Sequence, residues 1–234
     1  WSMAEKIGSM LLAMAVRLVI LRLLTRDILG FMSIPSAVVT VLLVIVDSGF
    51  SQSLVRHKGP SQSDYKSVFL FNIAVSAVLY GVLVTLAPFA ARWYDMPQIA
   101  RIAPVFFLLL PLNALCAVQN TIFIRQFRFA LLSKVTFLSS LAGGLTAIAL
   151  AMAGWGIWSL VAERVIAVGM RTALLWWLSD WRPCGKCGLK PLREMAPFGC
   201  SLMVTDLISN FYNKIPQFFL GKLYSPAVLG SFDQ

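Results

Sequence analysis

Residues 67–91 read SVFLFNIAVSAVLYGVLVTLAPFAA, twenty-five positions without one Asp, Glu, Lys or Arg. About 20 apolar residues in helical form cross the hydrocarbon core of a bilayer, so this stretch is long enough to span a membrane. It has company. Windows 28–46, 102–124 and 135–162 are equally free of charge. Over the whole chain 59% of residues are hydrophobic and 13% charged, whereas a soluble domain carries roughly a quarter charged residues. In lipid a backbone must satisfy its own hydrogen bonds, and barrel strands would alternate in segments of about ten residues, which leaves helices.

Three more apolar stretches are interrupted by charge: 7–24 holds Arg17, with Arg22 at its outer end, 157–178 holds Glu163, Arg164 and Arg171, and 196–220 holds Asp206 and Lys214. Counting them gives seven expected spans, at about 7–24, 28–46, 67–91, 102–124, 130–152, 157–178 and 196–220. The turn Gly154-Trp155-Gly156 separates the fifth from the sixth. The chain begins at Trp1 without an initiator Met and stops at Gln234, where an eighth helix is expected, so it reads as incomplete.

A net charge of +10 invites a nucleic-acid reading, and the placement of the charges decides against it. With the N-terminus inside, the cytoplasmic segments collect Lys6, Arg56, Lys58, Lys66, Arg125, Arg128, Lys134, Arg182, Lys186, Lys190 and Arg193. External segments hold only Arg22, Arg26, Arg92, Arg101 and Lys222. This asymmetry orients the protein N-in. Contact with lipid headgroups accounts for the remaining loop charge, and no nucleic-acid partner is expected.

The phrase RLLTRDILGF at 22–31 recurs loosely as KLYSPAVLGS at 222–231. Leu23, Leu29 and Gly30 match Leu223, Leu229 and Gly230, and each copy follows an apolar helix leaving the cytoplasm. Six spans per period is an even number, which gives a parallel repeat of two lobes about an axis along the membrane normal. The expected fold is therefore an all-α integral membrane protein, a polytopic helical bundle. Residues 1–195 form a six-helix N-terminal lobe, and 196–234 supply the first helix of a second, parallel-repeat lobe.

The runs DSGFSQSLVRHKGPSQSDYKSVFLFN (47–72), APFAARWYDMPQ (87–98), GWGIWSLVAERV (154–165), LLWWLSDWRP (174–183) and KLYSPAVLGSFDQ (222–234) carry a resemblance. The chain resembles the oligosaccharide flippases of bacterial polysaccharide biosynthesis, the colanic acid exporter-like branch in particular, within the multidrug/oligosaccharidyl-lipid/polysaccharide exporter superfamily. The resemblance implies two six-helix lobes, cytoplasmic termini and a place in the bacterial cytoplasmic membrane. It further implies translocation of an undecaprenyl diphosphate-linked oligosaccharide between leaflets, with a polysaccharide polymerase and chain-length proteins as partners. The departure is length, since the chain covers about half of such a protein.

A lipid diphosphate is an anion, and its passage needs cations facing an aqueous cavity. Arg17, Arg164, Arg171 and Lys214 lie within expected spans, where an Arg or Lys at a helix centre costs about 2.5–3.5 kcal/mol on insertion scales. On the seventh span Asp206, Asn210, Asn213, Lys214 and Gln217 fall at i, i+4, i+7, i+8 and i+11, along one face of a helix. That stripe is expected to line the cavity, with Pro216 loosening the backbone beside it. On the first span Arg17 stands opposite Gln217 in the repeat. Arg164 and Arg171 are seven apart and share a face, so they could bind one anion together. The competing reading pairs Glu163 or Asp206 with these cations between helices, as packing contacts.

Other features read more plainly. Cys184-Gly-Lys-Cys187 offers two thiolates where zinc needs four ligands, so no metal and no cofactor is expected. Gly49, after Asp47, permits the turn that closes the second span. The tryptophans at helix ends read as interfacial anchors, and Trp93 and Tyr94 could instead stack on sugars. Pro111 with Asn113 reads as a kink with a local hydrogen-bond partner. A membrane-embedded enzyme of polysaccharide assembly is the main alternative, yet no paired acids, His cluster or Gly-rich phosphate loop is present. An exporter of small cationic drugs would favour acidic cavity residues, against four basic and two acidic ones here.

Overall fold

The computed structural model describes residues 14, 16, 18–20, 22–24, 26–47, 49–57, 59–183 and 188–223, the side chains at 26–27, 189–191 and 216–223 excepted. Positions 14, 16, 18–20, 22 and 23 are helical, and after them, among the described residues, come α1 Arg26–Asp47, α2 Phe50–Arg56, α3 Gln62–Trp93, α4 Pro97–Phe106, α5 Leu109–Arg125, α6 Phe129–Met152, α7 Ile157–Leu178 and α8 Leu189–Leu223. No strand occurs among the described residues. The protein is an all-α polytopic membrane protein. Among the described residues four stretches are long and apolar enough to cross a bilayer: Ile28–Asp47, Gln62–Trp93, Pro97–Arg125 and Phe129–Met152. Helix α7 matches them in length but carries Glu163, Arg164 and Arg171.

Local chemistry sets the boundaries. Ser61 caps α3 with a full capping box: its Oγ accepts from the Asp64 N–H at 3.3 Å, and Asp64 Oδ2 accepts from the Ser61 N–H at 2.7 Å. This satisfies two orphan donors and starts the helix at Gln62, five residues before the charge-free window. At the other end the Met96 N–H donates to the Ala91 carbonyl, 2.9 Å, with Asp95 at φ 54 between them. The same six-to-one closure ends α5 at Phe127 (Arg128 N–H to Phe123 O, 3.0 Å) and α6 at Gly154 (Trp155 N–H to Leu150 O, 3.1 Å). These left-handed caps end a helix by satisfying its last carbonyls.

The expected single span at 102–124 is two helices. Pro111 has no N–H for the Phe107 carbonyl, which instead accepts from the Leu110 N–H at 3.0 Å. The tighter bond breaks the ladder at Phe107–Leu108, as a proline does one turn ahead of itself. Asn113 Nδ2 donates to the Leu109 carbonyl at 2.8 Å. Helix α8 begins at Leu189, seven residues before the expected start, and stays helical through position 216.

The expected loop after Asp47 holds a further helix. Gly49 takes φ 64 and turns the chain into α2, whose Phe50, Ser51, Ser53 and Leu54 are buried. Arg125, at the end of α5, reaches across to it. Its Nη1 donates to the carbonyls of Leu54, Val55 and His57 at 2.5, 3.1 and 2.8 Å, and so a cation closes the negative end of this seven-residue helix, beside the His57 N–H that donates to the Ser53 carbonyl at 2.9 Å. Arg125→Ala is expected to cost about 1.5–3 kcal/mol, the range for hydrogen bonds to a charged group. Lower thermal stability, with faster proteolysis at 50–60, would report it.

The helices pack so that α6 lies along α7, α3 along α5 and α4, α5 along α7, and α8 along α1 and α2. A main apolar core joins Val39, Ala87, Phe106, Leu109, Ala147 and Val161 from six helices. The α6–α7 seam depends on small residues: Gly143, Ala147 and Ala151 recur every fourth position and are buried. Where lipid is as apolar as the protein, such close backbone approach supplies the attraction that water supplies elsewhere.

Candidate functional site

One end of the bundle gathers α2, the start of α3, the end of α5 and the segment leading to α8. There Trp181 is buried, with its indole N–H donating to Gln62 Oε1 at 2.7 Å, and Trp176 donates to the Leu115 carbonyl at 2.9 Å. Phe69 meets both rings edge-on. These two tryptophans are packing residues, which corrects their reading as interfacial anchors. Their N–H groups are spent inside the protein, whereas Trp93, Trp155 and Trp177 are exposed.

Of the residues expected to line a cavity, six can be located in full. Asp206, Asn210, Asn213 and Lys214 lie on α8, with Asn213 exposed and the others half-buried. Asn210 Nδ2 donates to the Asp206 carbonyl oxygen at 2.8 Å, so this side chain is turned back along its own helix. The Asp206 carboxylate is within electrostatic range of Asp47 at the end of α1, and the Ser51 hydroxyl donates to Asp47. Asp206, the first member of the stripe on α8, therefore lies near the turn between α1 and α2. Gln217 shares the helix, but its side chain lies outside the described residues, as does the whole of Arg17.

On α7 the two arginines part company. Arg164 is exposed. Arg171 is half-buried, its Nη2 donating to Asn120 Oδ1 of α5 at 3.0 Å, while its Nε is buried without a partner. Cys116 lies within electrostatic range of both Arg171 and Asp47, which links α7, α5 and α1 through polar groups. At the next position along α7, the Thr172 hydroxyl donates to the Leu112 carbonyl at 3.1 Å. Arg171 thus has an interhelical partner that the sequence did not single out.

Asn72 was also missed. It is fully buried on α3, with both amide atoms unpaired, an arrangement that costs about 1–3 kcal/mol. Its signal was present: Asn72 is the one amide in the 67–91 window. The structure contains open cavities of about 400 and 290 Å³, both at the opposite end, lined respectively around Arg92 and Asp95 and around Gln98 and Arg101. Neither is lined by the expected cation residues. The paired cysteines Cys184 and Cys187 and the second copy of the repeated phrase, beyond Leu223, lie outside the described residues.

Long apolar helices with polar side chains turned inward define a multi-pass membrane protein. Residues 19–234 match the family described as Polysaccharide biosynthesis protein, and the chain belongs to that family. It is similar to the succinoglycan biosynthesis transport protein ExoT of Rhizobium meliloti (strain 1021), with 26% identity over 211 residues. That match covers 90% of the chain and 42% of the relative. The chain therefore spans about two fifths of that relative's length. No solved structure matches it significantly.

Proposed function

We propose that the chain is part of an exporter that moves an undecaprenyl diphosphate-linked oligosaccharide across the cytoplasmic membrane for surface polysaccharide. The observation that carries this reading is its similarity, along 90% of its length, to a protein named for succinoglycan transport. Residues 1–195 form one lobe and 196–234 open a second, with the N-terminus cytoplasmic, as the excess of Lys and Arg on that side favours. The anionic head enters a cavity between the lobes, the lobes rock, and the head leaves on the far side while the prenyl tail stays in lipid. Lys214, Arg164 and Arg17, with Asp206, Asn210, Asn213 and Gln217 beside them, supply the polar wall. Arg171 joins that wall from α7, held by Asn120.

The carrier is not an enzyme in this reading, and a polymerase and chain-length proteins receive what it delivers. The test uses the full-length gene in a flippase-deficient cell, scored by surface polysaccharide at matched expression. Export is expected with the wild type, and a loss of at least about tenfold with Arg17→Ala or Lys214→Ala, the size of one lost charge-assisted contact. Full export by Arg17→Ala, Lys214→Ala and Arg171→Ala alike would remove the anion site. If Asn120→Ala reproduces the Arg171→Ala defect in thermal stability as well as in export, Arg171 acts by holding α5 to α7.

A further inference from the structure

At the end of the bundle away from α2, the first turns of α1, α4 and α7 come together around an open cavity of about 290 Å³. Gln98 and Arg101 of α4 and Trp158 of α7 line it, with Ile28, Ile102 and Ile157 as its apolar surface. The volume stands at the lower end of the ~300–1,000 Å³ of small-molecule sites, room for one sugar ring and not for a chain of them.

Its polar groups are free to take a ligand. Gln98 and Arg101 are exposed, one turn apart on one face of α4, and among the described residues neither side chain makes a hydrogen bond or an ion pair. The Trp158 indole N–H is likewise unengaged among them, unlike those of Trp176 and Trp181, and 36% of that residue stays exposed. Arg101 is the single charged residue in the lining. Helices α4 and α7 both begin at its rim without a side-chain cap, so their positive ends reinforce the field of the guanidinium.

We propose that this cavity binds one anionic sugar unit, its carboxylate on the Arg101 guanidinium, a neighbouring hydroxyl on the Gln98 amide and the C–H face of its ring against Trp158. The inference rests on the export reading above, to which it adds the charge of the saccharide and a place that holds it. A planar guanidinium takes a carboxylate through two parallel bonds, and an amide both donates and accepts, as a sugar hydroxyl does. Bare phosphate would leave the indole and the isoleucines unused. A neutral sugar would leave Arg101 without a counterpart. In the orientation proposed above, the cavity lies on the external side, where the saccharide arrives once the lobes have rocked.

Saturation-transfer NMR on the full-length protein, in a detergent without a sugar head, tests this with glucuronate or glucose as the probe and inorganic phosphate as competitor. Transfer to the ring C–H protons of glucuronate is expected, with glucose bound at least about tenfold more weakly, the size of one lost charge-assisted contact. Phosphate at equal concentration should leave glucuronate bound. Arg101→Ala and Trp158→Ala should each weaken binding about tenfold, Trp158→Phe should recover most of the stacking, and Arg92→Ala, in the neighbouring cavity, should change nothing. Because Arg101 is exposed and touches no partner, Arg101→Ala should keep the wild-type thermal midpoint. Absent transfer to glucuronate, equal affinity for glucose, displacement by phosphate, full retention in both alanine variants, or an equal loss in Arg92→Ala would overturn the proposal. Transport plays no part in this readout: binding lost with export intact removes this site alone, and binding intact with export absent removes the carrier reading alone.

Discussion

Gly143→Leu should leave little of the protein folded, lowering its stability by about 3 kcal/mol or more, the upper end of overpacking costs. A Cβ on Gly143 would stand 2.6 Å from the Glu163 carbonyl oxygen and 2.9 Å from the Ala167 Cβ. Neither obstacle is the tip of a flexible side chain. Accommodating even one carbon means separating α6 from α7, the most extensively packed helix pair, and leucine brings three more. Gly169, on α7, is the control, because a Cβ there meets nothing within 4 Å. The measurement is the thermal midpoint in detergent with the monodisperse fraction on size exclusion. A Gly143→Leu protein as stable as Gly169→Leu would mean that α6 and α7 do not touch along this seam.

The second large effect is at Gly49. Its φ of 64 costs an alanine about 1–2 kcal/mol, and a Cβ there would run into the backbone carbonyl of Gly199 on α8. Gly59 separates the two contributions, having φ 71 but nothing within 4 Å. Gly59→Ala should show the conformational cost alone. Gly49→Ala should add about 1–3 kcal/mol of overpacking to it, and each kcal/mol moves the midpoint of a chain this size by about 2–4 °C. Equal shifts in the two variants would show that α8 does not rest against this turn. The contact has a neighbour that would loosen with it: the Arg56 guanidinium lies 4.7 Å above the Phe198 ring.

Much of the frame was legible because lipid imposes a simple rule, length of apolar run, that survives without any partner. Charge-free windows found α1, α3, α6 and the end of α5, the charge-interrupted apolar stretch 157–178 matched α7, and Gly154-Trp155-Gly156 marked a real break. What escaped depends on partners distant in sequence. Phe50–Arg56 is too short for a helical period to register, and its cap comes from Arg125, about seventy residues away. Trp176 and Trp181 have the composition of anchors and the contacts of core residues, which only the fold decides. Arg171 could be recognised as costly at bilayer depth, but not its bond to Asn120 across fifty-one positions. The polar stripe on α8 was visible as periodicity alone. The nearness of Asp206 to Asp47 was not, because that follows from how α8 lies along α1.

The interruption at Phe107–Leu108 lies about 15 Å from Pro97, half of a ~30 Å hydrocarbon thickness. It divides the stretch into helices of ten and seventeen residues. The Pro97–Phe106 piece is moored to α3, where the Tyr80 hydroxyl donates to the Pro104 carbonyl at 3.0 Å, whereas the Leu109–Arg125 piece packs most against α3 and α7, so the two pieces answer to different neighbours.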